Sequence, residues 1–351
     1  MFFYWLLFFI PCLMIFLPDR LSFGARNIFF AYYGIFAIII IGSRYEIGGD
    51  WVAYSNFYNA ADKNLTDIIS FSGIEPGYMF INWLMNQFGF GIYGVNFICG
   101  SIFIIGLVLF VQKFPFSWLA VVVAVPYLLV VVVMGYSRQG VAIGFELIAL
   151  SYLTRRRLVL YYFFVICAIL FHKTAAVLIV LGFFGFLPKG KKVILFYLFG
   201  FVSLGFMGVK LYPYLEHQYL YYIIKKLPME SSGALMRVLI NLFPAIIFFI
   251  FRAKWKKEFM ETGPWFIMAL GISAMTPFVG LFSTAVDRIM LYLSPLQLVV
   301  WSHLPVLIRS VEVRTLTVLG IVIYYGLILF IWMNYAQHAS RWVPYKSILG
   351  F

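Results

Sequence analysis

Long apolar runs dominate this chain and leave little room for any fold other than a bundle of membrane-spanning helices. A helix that crosses a hydrocarbon core of about 30 Å needs roughly 20 apolar residues. Because 64% of the 351 residues are hydrophobic and only 11% are charged, the composition excludes an ordinary soluble domain. We predict an all-α, polytopic integral membrane protein with about 12 transmembrane helices in a single domain, residues 1–351. The runs fall near 2–17, 28–42, 92–111, 117–134, 138–153, 158–171, 174–187, 193–209, 236–251, 264–284, 289–308 and 315–333.

The placement of basic residues decides whether the short segment 75–89 crosses the membrane. Cytoplasmic loops carry an excess of lysine and arginine. If 75–89 does not cross, all the basic clusters face the cytoplasm; if it crosses, most of them face outside. We therefore predict an external interfacial or re-entrant helix near 75–89, with external loops at 43–74 and 210–233. The clusters lie at Arg20 and Arg26, Arg155 to Arg157, Lys189 to Lys192, Arg252 to Lys257, and Arg309 and Arg314. Because they are dispersed between apolar runs, the net charge of +13 does not form a nucleic-acid surface.

The stretch SRYEIGGDWVAYSNFY, which begins at Ser43, is a compact charged turn directly after an apolar run. Arg44 offers a planar fork of N–H donors that matches phosphate oxygens. Glu46 and Asp50 can orient that fork or accept a proton from a hydroxyl. The Gly48-Gly49 pair lets backbone approach a ligand closely. The alternative is a surface turn held by a local ion pair, and composition alone leaves both interpretations open.

Other polar side chains lie at the ends of apolar runs on the same predicted external side. Such groups are costly there unless they line a shared cavity, so they are functional candidates. Cationic neighbours favour the neutral imidazole of His172, which makes it a candidate general base. Interfacial anchoring is the alternative for the arginines and the tyrosine, and fixed hydrogen bonding for the histidine. The group comprises Arg138 with Gln139, His172, and Arg288 with Tyr292 one helical turn later.

Several common catalytic patterns are missing from the sequence. It contains no HExxH, GxSxG, Walker loop or Gly-rich dinucleotide fingerprint. The sequence therefore gives no support to a zinc protease, a serine hydrolase or an ATP-driven pump, and we predict neither a metal nor a cofactor.

Taken in chain order, six short motifs resemble those of EpsG-like proteins, which belong with the Wzy polymerases of bacterial O-antigen and exopolysaccharide. RYEIGGDWVAY is similar to the family's R-x-x-x-G-x-D-[aromatic]-x-x-Y signature. Gly49 stands where a threonine is common and Trp51 where a tyrosine is common, differences that bear on substrate choice. The other motifs are EPGYMFINWL, SRQGVAIGF, FHKTA, DRIMLY and the closing RWVPY.

The resemblance implies a GT-C-like membrane glycosyltransferase without a nucleotide-sugar donor. The donor would be a glycan on undecaprenyl diphosphate and the acceptor the next lipid-linked repeat unit, at the periplasmic face of the bacterial inner membrane. The candidate site then comprises Arg44, Arg138 and Arg288 on the diphosphate, His172, Asp50 or Glu46 as general base, and Glu75, Tyr54, Gln139 and Tyr292 on the substrate.

Two other classes of function compete with this interpretation. A lipid-linked oligosaccharide flippase would also hold arginines for a diphosphate, but polar residues at the midplane and an internal repeat are expected of it. A membrane O-acyltransferase could use His172, but it would need access to a cytosolic acyl donor. A polymerase of this family would have lipid-linked oligosaccharides and the bilayer as partners, with a chain-length regulator and a flippase as further candidates.

Overall fold

The computed structural model describes residues 1–16, 23–61, 74–185, 231, 233–259 and 262–350. Within these residues the regular secondary structure is helical, which confirms the predicted all-α class; one isolated bridge joins Arg44 to Ser347. The apolar run 193–209 and almost all of the loop 210–233 lie outside the described residues. The helices are α1 Phe2–Met14, α2 Phe23–Gly42, α3 Trp51–Ala60, α4 Pro76–Gln87, α5 Gly91–Val111, α6 Ser117–Val133, α7 Ser137–Leu153, α8 Leu158–Phe171, α9 Val177–Gly185, α10 Ala234–Phe259, α11 Gly263–Met275, α12 Ser283–Leu293, α13 Pro295–His303 and α14 Val311–Tyr335.

The described residues contain fewer full-length spans than the about twelve that the apolar runs predict. Four helices, α2, α5, α10 and α14, are long and apolar enough to cross a membrane, and α12 with α13 makes a fifth if a pair bent by 45° counts as one. The remaining runs that the structure describes form shorter helices. Proline explains two interruptions, since Pro277 lies in a 3₁₀ turn after α11 and Pro295 begins α13.

The chain divides into two compact units. Unit 1 comprises Met1–Tyr152, Val159–Ala175 and Gln297–Phe351, and unit 2 comprises Leu153–Leu158 and Ala176–Leu296.

In unit 1, α2 and α5 pack against each other in opposite directions. A Cβ on Gly42 would lie 2.4 Å from Phe97 near the start of α5, and one on Gly34 would lie 3.2 Å from Ile104 further along it. Small residues permit this close approach. The chain between the two helices therefore leaves and returns at the same end of unit 1. We refer to this end, where α2 finishes and α5 begins, as the polar end.

The C-terminal segment 336–350 folds over the polar end. The Trp342 indole Nε1 donates to the Val130 carbonyl, 3.0 Å away, in the π-helical second half of α6. The Tyr4 hydroxyl donates to the Trp342 carbonyl at 2.6 Å, and the Tyr345 hydroxyl donates to the Ile40 carbonyl at 2.7 Å. The segment thus joins α1, α2 and α6 at the polar end.

Gly135, two residues after the end of α6, should be among the positions least tolerant of a side chain. A Cβ there would lie 2.0 Å from the buried Trp342 ring. Overpacking of this kind costs about 1–3 kcal/mol or more, so Gly135→Ala should lower the midpoint of thermal unfolding in detergent. Gly320→Ala is the matched control, because nothing lies within 4 Å of its Cβ position and alanine favours a helix. Equal unfolding midpoints for the two variants would contradict this packing.

Candidate functional site

Five of the predicted site side chains converge at the polar end of unit 1, and each comes from a different segment. The convergence follows from the helix directions, because α2 and α8 finish here while α3, α4 and α7 begin here. They are Arg44 after α2, Tyr54 in α3, Glu75 at the start of α4, Arg138 in α7 and His172 after α8.

Arg138 lies in a partly open aromatic and acidic environment. Its Nη1 donates to Glu75 Oε2 at 2.7 Å, and the two side chains are 24% and 10% exposed. The guanidinium carbon lies 5.5 Å from the Phe57 ring centroid and 6.0 Å from that of Tyr54, within the range of a cation–π contact. Its Nε is buried and has no hydrogen-bond partner among the described residues. Arg138 is therefore oriented by the protein, while its side chain as a whole stays 24% exposed.

Glu75 joins the start of α4 to the end of α8. Its Oε1 accepts a hydrogen bond from the Lys173 backbone N–H at 3.4 Å. A Cβ on Gly77 would lie 2.8 Å from the Leu170 carbonyl, so the glycine lets these two segments touch. The EPG and FHK motifs are therefore in direct contact, although they are almost a hundred residues apart in sequence.

His172 lies beside this junction and is buried. Its Nδ1 is 2.6 Å from the Thr174 hydroxyl, which fixes the orientation of the ring. When Nδ1–H donates to that hydroxyl, Nε2 carries the lone pair that a general base needs.

Arg44 is 1% exposed, so it lies deeper than the sequence suggests. Its Nη1 donates to the Ile41 carbonyl at 2.5 Å, and its Nη2 donates to Asn96 Oδ1 and Ser137 Oγ, both at 2.7 Å. Burial lowers the pKa of Arg44, but an arginine remains charged under any physiological condition. Because these acceptors are neutral, Arg44 does not form the local ion pair of the surface-turn interpretation. Through Ser137, Arg44 holds the residue that precedes Arg138.

Tyr54 lies between the two arginines and is 3% exposed. Burial raises the pKa of Tyr54, and the nearby Asp50 carboxylate raises it further, so the phenol keeps its proton. Asp50 is half-buried at the N-terminal end of α3. Gln139 is half-buried in the first turn of α7.

The Gly48-Gly49 pair packs against other parts of the protein. Gly48 has a φ of 109°, and a Cβ there would lie 2.7 Å from the Met134 carbonyl. The absence of a side chain was predicted to let the backbone approach a ligand. At Gly48 it lets the backbone approach the end of α6 instead. The Gly49 carbonyl accepts from Arg341 Nη1 at 3.2 Å.

Two predicted site residues belong to unit 2. Arg288 is half-buried and Tyr292 is fully buried, both in α12. Beside them, Asp287 accepts hydrogen bonds from Nε and Nη2 of Arg237, and Arg237 Nη2 also donates to Ser231 Oγ at 2.6 Å. Arg237 is not among the predicted site residues, since its only signal in the sequence is a single positive charge inside an apolar run.

Glu46 lies at the surface, where its carboxylate is 3.3 Å from the Lys346 ammonium. Among the described residues no group of three His, Cys, Asp or Glu side chains is arranged to hold a metal ion.

The apolar helices and the charged polar end define a helical membrane protein with a buried polar site. Residues 27–347 match the model of the EpsG family. Because that match covers nearly the whole chain, the protein belongs to the EpsG family, as its six motifs predict, and membership indicates a polysaccharide polymerase of the membrane. No curated protein and no solved structure matches the chain.

Proposed function

We propose that the protein transfers a growing glycan from undecaprenyl diphosphate to the next lipid-linked repeat unit. The observation that carries the proposal is the convergence of Arg44, Glu75, Arg138 and His172 at one end of an apolar helical unit. Cations can stabilise a diphosphate leaving group, and an imidazole or a carboxylate can accept the proton of the attacking hydroxyl. The family match supports the same class of reaction.

In this mechanism Arg138 stabilises the leaving diphosphate. Cleavage of the anomeric C–O bond leaves negative charge on the terminal phosphate, and pre-oriented donors act best where charge develops. Arg138 is the more exposed of the two arginines, with 24% of its side chain accessible, whereas Arg44 is 1% exposed. Glu75 and the Phe57 ring hold its orientation.

Arg44 is a positioning residue that lies deeper in the protein than Arg138. Its donors hold Asn96 and Ser137, so it fixes the start of α7 against α5. Its buried charge also adds to the positive potential that a diphosphate meets. Arg288 remains a predicted diphosphate contact in unit 2.

The acceptor hydroxyl loses its proton as it attacks the anomeric carbon, and His172 accepts that proton. The Thr174 contact orients the imidazole for this role. Asp50 is the alternative base, since it precedes α3 beside Tyr54, and Glu46 is the third. Glu75, Tyr54 and Gln139 remain the predicted contacts of the sugar hydroxyls, together with Tyr292.

The polar end of unit 1 faces the periplasm in this proposal. Basic residues at the opposite end of unit 1 support that direction, while at the polar end Arg44 and Arg138 belong to the proposed site and Lys346 pairs with Glu46. Phe30 stacks on Trp118 at 4.1 Å, and Phe114 lies 4.9 Å from His303, so Arg26 in the first turn of α2 and the loops that carry Lys113 and Arg309 lie at the opposite end. The positive-inside rule places that opposite end in the cytoplasm. On this account the 12-residue α4, which is about 18 Å long, does not cross the membrane.

Cysteine labelling tests this orientation. In a background without Cys12, Cys99 and Cys167, a cysteine at exposed Asn56 should react with a membrane-impermeant maleimide in whole cells. A cysteine at exposed Lys113 should react only after the cells are permeabilised. Labelling of the Lys113→Cys protein from outside would show that the orientation is opposite to the proposed one.

A gene deletion tests the activity in cells. Cells without the protein should lose the long-chain polysaccharide and accumulate single lipid-linked repeat units on the outer face of the membrane. Wild-type protein should restore the polymer, whereas Arg138→Ala at equal abundance should not. Accumulation on the inner face would indicate a flippase.

A further inference from the structure

Three aromatic side chains lie next to one another at the polar end, with their ring planes inclined at 74° and 44°. Tyr45 and Trp51 have ring centroids 6.1 Å apart, and Trp51 and Tyr93 are 6.3 Å apart. Tyr45 is 40% exposed, and the other two are partly exposed. The three rings come from the turn after α2, the first residue of α3 and the first turn of α5.

A charged pair borders these rings. Glu46 has a φ of 52°, a left-handed conformation that is uncommon and strained for a residue with a side chain. Such strain is found preferentially at functional sites. The Glu46 carboxylate and Lys346 ammonium are 3.3 Å apart, and each side chain is about half exposed. The Tyr45 N–H donates to the Lys346 carbonyl at 2.9 Å, which keeps the pair beside the ring.

We infer that this surface, Tyr45, Glu46, Trp51, Tyr93 and Lys346, binds a pyranose ring of the glycan substrate. The C–H face of a pyranose is apolar and packs on aromatic rings, while its hydroxyls donate to a carboxylate and accept from an ammonium. A half-exposed ion pair is weakly held, so its charged groups can exchange partners with sugar hydroxyls. The inference deepens the proposed function and rests on it.

The position of these rings agrees with binding of a pyranose ring of the substrate. Trp51 directly follows Asp50, and Tyr45 directly follows Arg44. A sugar on the rings would thus lie one helical turn from Tyr54, whose ring centroid is 6.0 Å from the Arg138 guanidinium. Here Glu46 contacts hydroxyls of the substrate instead of acting as its base.

The alternative is that these rings anchor the protein at the membrane interface, where Trp and Tyr are enriched. The chain offers a matched control for that role. Phe88 and Phe90 are 65% and 63% exposed, with ring centroids 6.2 Å apart, and they lie at the same end of unit 1. An anchoring role predicts the same behaviour for both aromatic sets, whereas sugar binding predicts an effect only for Trp51.

The experiment measures binding of oligosaccharides obtained by partial acid hydrolysis of the polysaccharide made by the source organism. Wild-type protein in nanodiscs is titrated by calorimetry or saturation-transfer NMR. An aromatic contact of this kind corresponds to about two- to tenfold in affinity. Trp51→Ala should weaken binding about tenfold, Trp51→Phe by less than about threefold, and Glu46→Gln by several-fold, with Phe88→Ala unchanged.

Several results would overturn the inference. These are absence of binding to the wild type, equal affinities of Trp51→Ala and wild type, or an equal loss in Phe88→Ala. If Trp51→Ala does not fold, the half-exposed Glu46→Gln provides the same test. Polymerisation of lipid-linked repeat units is measured in parallel. Binding that depends on Trp51 without polymerisation would refute the proposed function alone, and polymerisation with Trp51-independent binding would refute the sugar site alone.

Discussion

Arg138→Lys is expected to lose almost as much polymerisation as Arg138→Ala, about 10²-fold or more. Removal of one pre-oriented donor from a developing anion typically costs about 10²–10³ in rate. Lysine keeps the charge but not the planar fork, so it cannot reproduce the fixed geometry in which one edge of the guanidinium bonds to Glu75 while another edge faces a phosphate. The measurement is the initial rate with purified lipid-linked repeat units in detergent.

Arg309→Lys is the matched control for the Arg138 series. It makes the same chemical change at an exposed arginine near the opposite end of unit 1, so its rate should equal that of the wild type. If Arg138→Lys retains most of the wild-type rate, Arg138 is an interfacial anchor and the proposed leaving-group role is wrong.

His172→Gln is expected to fold and bind substrate but to polymerise about 10²–10⁴-fold more slowly. That range is the usual contribution of a general base. Glutamine can imitate a fixed hydrogen bond to Thr174, but it cannot accept a proton at neutral pH. Loss of the chemical step alone would lower kcat, whereas loss of a binding contact would raise KM.

The exposed His338 provides the control for this substitution, and His338→Gln should not change the rate. Near-normal turnover by His172→Gln would transfer the base role to Asp50. Loss of folding and of substrate binding together would show that His172 is structural.

The apolar runs predicted most helices but not how many span the membrane fully. Hydropathy averages over a window and does not detect the local breaks at Pro277 and Pro295. The antiparallel packing of α2 and α5 could not be obtained from hydropathy either, since it depends on how Gly42 and Phe97 fit together.

The candidate site was predicted in part, because charged residues at the ends of apolar runs are conspicuous. The sequence marked Arg44, Glu75, Arg138 and His172, and the structure gathers them. The sequence could not show that Arg44 is buried, because the acceptors of its hydrogen bonds, Asn96 and Ser137, are ordinary polar residues 52 and 93 positions away. The Arg138–Glu75 pair spans 63 positions and depends on the same helix packing.

The most direct test of the central claim is polymerisation by the purified protein alone. The protein is reconstituted in nanodiscs with purified undecaprenyl diphosphate-linked repeat units, and the products are separated by size. The account predicts a ladder of lipid-linked products that lengthens with time, together with release of undecaprenyl diphosphate and no requirement for a nucleotide sugar. Folded protein that leaves the repeat units unchanged, or that only moves them between the leaflets of a vesicle, would contradict the account.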